Sequence, residues 1–208
     1  MILVASSNAH KIAEIAALLP EHEVLPYTEF LAPIEILEDG DTFAANAQKK
    51  AQGIFAALPQ TLASSCLVLA DDSGLCVRAL GGAPGVRSAR YAGASEDVDN
   101  ANNAKLVSEL KRVGIARSAA YFECAIALCG LARDSGTIRC ATTSGVVEGE
   151  VGIEMRGSNG FGYDCLFIPS GFERTFAQMQ SSEKNTLSHR FRALQNLREL
   201  LQKMDFQY

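Results

Sequence analysis

At 208 residues the chain accommodates one large domain or two closely fused lobes, and a hydrophobic content of 48% without any low-complexity tract excludes a disordered chain. The net charge of −5, with no basic stripe, argues against a nucleic-acid polymer as partner, although a few lysines and a metal still suffice to neutralise one triphosphate. Cys66, Cys76, Cys124, Cys129, Cys140 and Cys165 include no C-x-x-C pair and have only His10, His22 and His189 to join them, which is poor material for structural zinc. Most of these cysteines lie in apolar runs, as reduced core thiols do, and indicate a reducing compartment. The apolar run of residues 1–5 is too short for a signal h-region, and no stretch reaches membrane-spanning length. A soluble cytoplasmic protein without membrane partners is expected.

Residues 2–5 predict a short buried strand. The polar turn Ser6, Ser7, Asn8, Ala9, His10 and Lys11 then leads into a helix carrying Ile12, Ile15, Leu18 and Leu19 on one stripe, with Ser7 or Asn8 as its cap. Val24 begins a second strand. Glu35, Glu38, Asp39 and Asp41 follow in a loop, and a helix over about residues 42–58 turns Phe43, Ala47, Ile54 and Leu58 to one side. The apolar run of residues 66–70 predicts a strand ending at Asp71, with Asp71-Asp72-Ser73-Gly74 as turn chemistry before residues 75–80. The segment 81–85 breaks regular structure, and Asp97 caps a third helix running through Leu106, Leu110 and Val113. Residues 119–132 and 137–150, flanking 133–136, predict an antiparallel hairpin. From His189 a last helix places Leu194, Leu197, Leu201 and Met204 on one face. Strand–helix units followed by a hairpin predict a mixed-sheet α/β protein of two lobes, with the cleft between lobes as the default ligand site.

Asp71 and Asp72 stand at the predicted end of that strand, where open α/β sheets bind ligands. Mg²⁺ favours such carboxylate oxygens together with substrate phosphates over a full protein cage. The loop 6–11, at a helix N-terminus and carrying a lysine, suits a phosphate, although it lacks the Walker pattern. The glycines of Gly157-Ser158-Asn159-Gly160-Phe161-Gly162-Tyr163-Asp164 do not follow the Rossmann order. They either hold a flat ring between aromatic faces and a carboxylate or form a turn with core aromatics. Lys184 can reach a phosphate, and His189 and Arg190 can donate to carbonyl oxygens on a base; taken singly, each reads as a solvated charge.

Together, Asp-Asp-Ser-Gly-Leu at 71–75, Gly-Gly-Ala-Pro-Gly-Val-Arg-Ser-Ala-Arg-Tyr-Ala-Gly at 81–93, Gly-Phe-Gly-Tyr-Asp at 160–164 and Lys-Asn…Ser-His-Arg at 184–190 resemble the inosine triphosphate pyrophosphatases, which act on non-canonical purine nucleoside triphosphates. The resemblance runs from Ser6 to the last helix, and four separated motifs in order make it specific. It implies one domain, residues 1–208, with a long, mixed, curved central sheet, helices on two lobes and an active-site cleft between them. It also implies a homodimer and Mg²⁺-dependent hydrolysis of ITP, dITP or XTP at the α–β phosphoanhydride, giving a monophosphate and pyrophosphate. Carried over by motif, Ser6, Ser7, Asn8, Ala9, His10 and Lys11 form the phosphate loop. Glu38 and Asp72 bind metal, Asp72 is the general base, and Lys50, Ser73 and Lys184 meet phosphates. Phe161, Gly162, Tyr163 and Asp164, with His189 and Arg190, surround the base. Spacing alone does not choose between Asp71 and Asp72; the resemblance selects Asp72.

Three positions depart from the family pattern. Ala45 replaces a frequent Glu, Cys165 replaces the proline after Tyr-Asp, and Gln178 stands where an acidic residue is more usual. None is assigned to chemistry. Donors at His189 and Arg190 would favour the 6-oxo group of hypoxanthine and xanthine over the 6-amino group of adenine. The rival readings are a same-fold pyrophosphatase for modified pyrimidine nucleotides and a non-catalytic nucleotide-binding regulator. The purine-type motifs argue against the first, and the intact Glu38, Lys50, Asp72 and Lys184 set argues against the second.

Overall fold

The computed structural model describes residues 1–201 and 206–207. β1 (Ile2–Val4) is buried along its length and leads to α1 (Ala9–Leu18), whose cap is Asn8: its Oδ1 accepts from the His10 and Lys11 backbone N–H groups at 2.9 and 3.2 Å. β2 (Val24–Pro26) follows, and then a long irregular segment that carries Glu38. α2 (Phe43–Ala57) starts at Thr42, whose Oγ1 accepts from the Ala45 N–H at 3.1 Å, and buries Phe43, Ala47, Ala51 and Ile54. After the short α3 (Gln60–Ala63) come β3 (Leu67–Val77), α4 (Val98–Arg112), β4 (Arg117–Ala132) and β5 (Ile138–Gly152). β6 (Phe167–Pro169), α5 (Ser181–Leu187), α6 (His189–Leu201) and β7 (Phe206–Gln207) complete the described chain.

The strands form one sheet in the order β2-β1-β3-β4-β5-β6, with β7 paired to β4. β1 is parallel to β2 and β3, whereas β4–β7 and β5–β6 are antiparallel. This is the mixed α/β sheet expected, and the hairpin appears as β4 and β5, neighbours joined by residues 133–137.

The chain divides into two compact units. The first comprises Met1–Asp72, Cys124–Gly145 and the chain from Arg190; the second comprises Ser73–Glu123 and Val146–His189. In the first unit, alternate strand positions Leu67 and Leu69 of β3 and Cys124, Ile126 and Leu128 of β4 meet Ile15 and Leu19 from the α1 end and Ala193, Leu194 and Leu197 of α6. That period of two against a helical stripe makes the core. In the second unit, Leu106 and Leu110 of α4 pack with Leu75 and Val77 of β3, and Phe122, Phe167 and Phe176 form an aromatic cluster.

Several local expectations change. Asp71-Asp72-Ser73-Gly74 is not a turn after a strand; β3 runs through it without a break and is buried at every position but Ser73. Gly74 explains its own place in the strand, since a Cβ there would lie 2.3 Å from Ser88 Oγ and 2.6 Å from the Gly85 carbonyl. Ser88 Oγ itself accepts from the Leu75 N–H at 2.9 Å and donates to that carbonyl at 2.7 Å. Asp97 occupies the N-cap position of α4 but makes no capping bond; in a left-handed conformation (φ 45°), its carboxylate accepts from Asn100 instead. Val113 lies beyond α4 and is exposed. Met204 lies outside the described residues.

Cys129 and Cys140 are joined in a disulfide, their Cα atoms 4.2 Å apart on neighbouring strands, so these two are not the reduced core thiols expected. Cys66, Cys76 and Cys124 are buried thiols, and Cys165 is half-buried. No helix among the described residues is long and apolar enough to cross a membrane.

Candidate functional site

Successive side chains of β3 point to opposite faces, so Asp71 and Asp72 enter different surroundings in the first unit. Asp71 continues the row of Leu67 and Leu69, the face covered by α1 and α6. Its Oδ2 lies 3.1 Å from Lys11 Nζ and 2.9 Å from Arg190 Nη2, and Arg190 Nη1 also pairs with Glu14. Two cations and two carboxylates therefore balance in a buried cluster, the arrangement that makes burial of charge tolerable. Burial alone would push the Asp71 carboxyl up, but Lys11, Arg190 and Lys50 together hold it well below the usual carboxylate range. Burial, and the nearby Asp71 charge, push the Cys124 thiol up to about 12.

Asp72 faces α2. Lys50 Nζ lies 3.7 Å from Asp72 Oδ1 and 3.4 Å from Glu38 Oε2, so one ammonium joins both carboxylates. Burial raises the Asp72 carboxyl above its ordinary value, with Glu38 adding to the rise and with Lys50 and Asn46 opposing it. The segment bearing Glu38 has no strand partner among the described residues and is held by side chains. The Ile34 N–H donates to Tyr27 Oη at 3.0 Å, Ile36 lies over Gly53 where a Cβ would sit 2.6 Å from its Cδ1, and the Gly40 N–H donates to Asn46 Oδ1 at 2.8 Å.

The described residues contain no group of three or more His, Cys, Asp and Glu side chains suited to a metal. The pair Glu38 and Asp72 still fits Mg²⁺. It offers hard carboxylate oxygens around a point already occupied by a cationic Lys50 Nζ, and Mg²⁺ needs only one or two protein carboxylates when substrate phosphates and water supply the rest.

In the second unit, Asp164 Oδ2 accepts from the Phe161 N–H at 3.0 Å and from Lys184 Nζ at 2.7 Å, an ion pair with both side chains buried. Gly160 (φ +77°) must be glycine, because a Cβ would fall 2.1 Å from that same oxygen. Lys184 Nζ also stands 4.8 Å from the Phe161 ring centroid, a cation–π contact. The His189 ring stacks on Phe122 with centroids 4.8 Å apart and planes 9° apart.

A model of the Ham1 family matches residues 2–200. The chain belongs to the Ham1 family. Relatives named dITP/XTP pyrophosphatase share 45% identity over 204 residues in Nautilia profundicola (98% of each chain) and 43% over 194 residues in Campylobacter jejuni (93% of each). Among solved structures, the Staphylococcus aureus Ham1 protein matches with a TM-score of 0.80 at 36% identity, covering 97% of this chain and 98% of its own. A HAM1 protein from Coxiella burnetii matches at 0.80 and 39%, with the same coverage.

Within this Ham1 chain, Glu38, Lys50 and Asp72 come together in the first unit, and Phe161, Asp164 and Lys184 in the second. Other expected site residues also have partners within the protein. Arg190, expected to donate to a base, is fully buried on Asp71 and Glu14. Lys11, expected to meet phosphate, bonds Asp71, and Asn8 takes the His10 and Lys11 amides of the loop whose other members are Ser6, Ser7 and Ala9. Tyr163, expected at the base, is a core side chain whose hydroxyl donates to the Ser88 carbonyl at 2.8 Å. Gly162 is held by its N–H to Asp99 and its carbonyl to Asn103. Ser73 is half-buried on β3.

Glu14 and Asn46 join these clusters without belonging to any of the four motifs. The signals were spacing: Glu14 is three residues after Lys11 on α1, and Asn46 four before Lys50 on α2, each pair sharing a helix face.

Proposed function

We propose that the chain hydrolyses non-canonical purine nucleoside triphosphates (ITP, dITP and XTP) at the α–β phosphoanhydride, releasing a nucleoside monophosphate and pyrophosphate, and so cleanses the nucleotide pool. The observation that carries this reading is the unequal pair on β3: Asp71 is neutralised by Lys11 and Arg190, while Asp72 is buried, raised and set beside Glu38 and Lys50. Family membership and the relatives' names point to the same chemistry.

Phosphoryl transfer asks a protein mainly for positioning and electrostatic stabilisation. Glu38 and Asp72 would hold Mg²⁺, which supplies charge neutralisation at the phosphates and a more acidic water. Asp72 accepts the proton of the attacking water at a carboxylate oxygen. Lys50 meets phosphate oxygens as it now meets the two carboxylates, and the loop 6–11, Ser73 and Lys184 are the remaining phosphate contacts. Phe161 presents a ring face for the purine, and His189 a ring nitrogen for its 6-oxo group. Arg190 acts at one remove, by fixing Asp71. The protein works in the cytoplasm as a homodimer on free nucleotides, without a nucleic-acid or membrane partner.

The test is pyrophosphate release from ITP, XTP, dUTP, ATP and GTP with Mg²⁺. Release from ITP and XTP far above the other three supports the proposal. A dUTP preference would turn it towards modified pyrimidines, and no release from any would make the chain a nucleotide-binding regulator.

A further inference from the structure

We propose that Asn46 is a positioning residue that aligns Glu38 and Asp72 as one divalent-cation site; this rests on the functional reading above. Four observations in the first unit carry it. Asn46 is completely buried in the first turn of an amphipathic helix, where a polar amide has no packing reason to be. Its Oδ1 accepts from the Gly40 N–H at 2.8 Å, two residues beyond Glu38. The other end of the amide, Nδ2, is buried with no hydrogen-bond partner among the described residues, on the helix face from which Lys50 meets Asp72. Gly40 is shaped to the contact: a Cβ there would lie 2.7 Å from Asn46 Oδ1 and 2.9 Å from Ala45 Cβ.

The arrangement is a clamp. Asn46 and Lys50, four residues apart on α2, present one face; Asn46 holds the Glu38 segment and Lys50 meets both Glu38 and Asp72. Lys50 does so by charge, which a divalent cation would displace. Asn46 acts through a neutral amide, which a cation does not repel, so its Gly40 bond would still place the Glu38 segment with a cation present. Glu38 sits on a segment without strand pairing, so its placement depends on the Gly40 bond more than a ladder residue's would.

Outer partners of this kind typically contribute about 10- to 100-fold in metal affinity or activity when removed. Asn46→Leu keeps the volume and removes both polar ends. Titrating the nucleotide-free full-length protein with Mn²⁺ by electron paramagnetic resonance should show a dissociation constant raised about 10-fold or more. In steady state, kcat for ITP should fall with KM for ITP little changed, and excess Mg²⁺ should restore part of it. Gly40→Ala disturbs the same bond from the loop side and should raise the Mn²⁺ constant in the same direction, which keeps the test open if Asn46→Leu folds poorly. A purely structural role would lower the melting temperature and leave the Mn²⁺ constant of the folded protein within 2-fold of wild type, and that result overturns the inference, as does a wild-type chain that binds no Mn²⁺. Failure of the wild-type protein to release pyrophosphate would instead strike the functional reading, because the Mn²⁺ titration does not depend on turnover.

Discussion

Asp71 and Asp72 differ by one position on β3 and meet opposite electrostatics, so their asparagine variants should fail in different ways. Asp71→Asn leaves Lys11 and Arg190 without their shared carboxylate, and breaking a buried pair on one side costs about 3–5 kcal/mol. Because the folded Asp71 carboxyl is held below its unfolded value, its stabilisation is complete above the unfolded pKa of about 3.9 and drains as pH falls below it. Urea unfolding should therefore show a wild-type advantage at pH 7 that shrinks on acidification below about pH 4. A gap that stays constant or widens there contradicts the assignment. Asp72→Asn should instead leave the fold intact and reduce turnover by at least about 10²-fold, measured as kcat for ITP; a near-normal rate would move the base to Glu38. For Arg190→Ala, the burial of the guanidinium on Asp71 and Glu14 predicts that kcat/KM for ITP and ATP fall together. A selective gain of ATP use would return Arg190 to the base-reading role that the sequence suggested.

Among the elements, most boundaries were legible because periodicity and caps are local: Asn8 before α1, Thr42 before α2 and the apolar stripe of α6 are read from neighbouring residues. β3 was not. Asp-Asp-Ser-Gly has the composition of a turn, and what lets it continue as a buried strand comes from elsewhere in the chain. Lys11, Lys50 and Arg190 balance the carboxylates, and Ser88 and Gly85 close on the bare Gly74 backbone. The site was legible to a similar depth. The residue types at Glu38, Lys50, Asp72, Asp164 and Lys184 stand in the motifs, but which cation meets which anion is a tertiary fact. The pairing of Arg190 with Asp71 and Glu14, and the bond of Asn46 to Gly40, carry no local signature. The Cys129–Cys140 disulfide escaped for the same reason, since only strand pairing brings the two together. The β3 account predicts that Gly74→Ala, which forces a Cβ onto Ser88 and the Gly85 carbonyl, destabilises the protein by about 1–3 kcal/mol. A melting temperature equal to wild type would mean that residues 85–88 yield freely and do not hold the strand.

Taken as a whole, the molecule places its chemistry by unit. The first brings Glu38, Lys50 and Asp72 together around a potential cation; the second fixes the Phe161 ring and the Asp164–Lys184 pair on a glycine-rich turn. The first set offers hard oxygen ligands and a lysine, the second an aromatic face. The central claim is cleavage between the α and β phosphates, and the most direct measurement is the identity of the first products from ITP and Mg²⁺, resolved by chromatography at low conversion. The account predicts IMP and pyrophosphate in equal amounts from the earliest time point. IDP and orthophosphate as first products would contradict it.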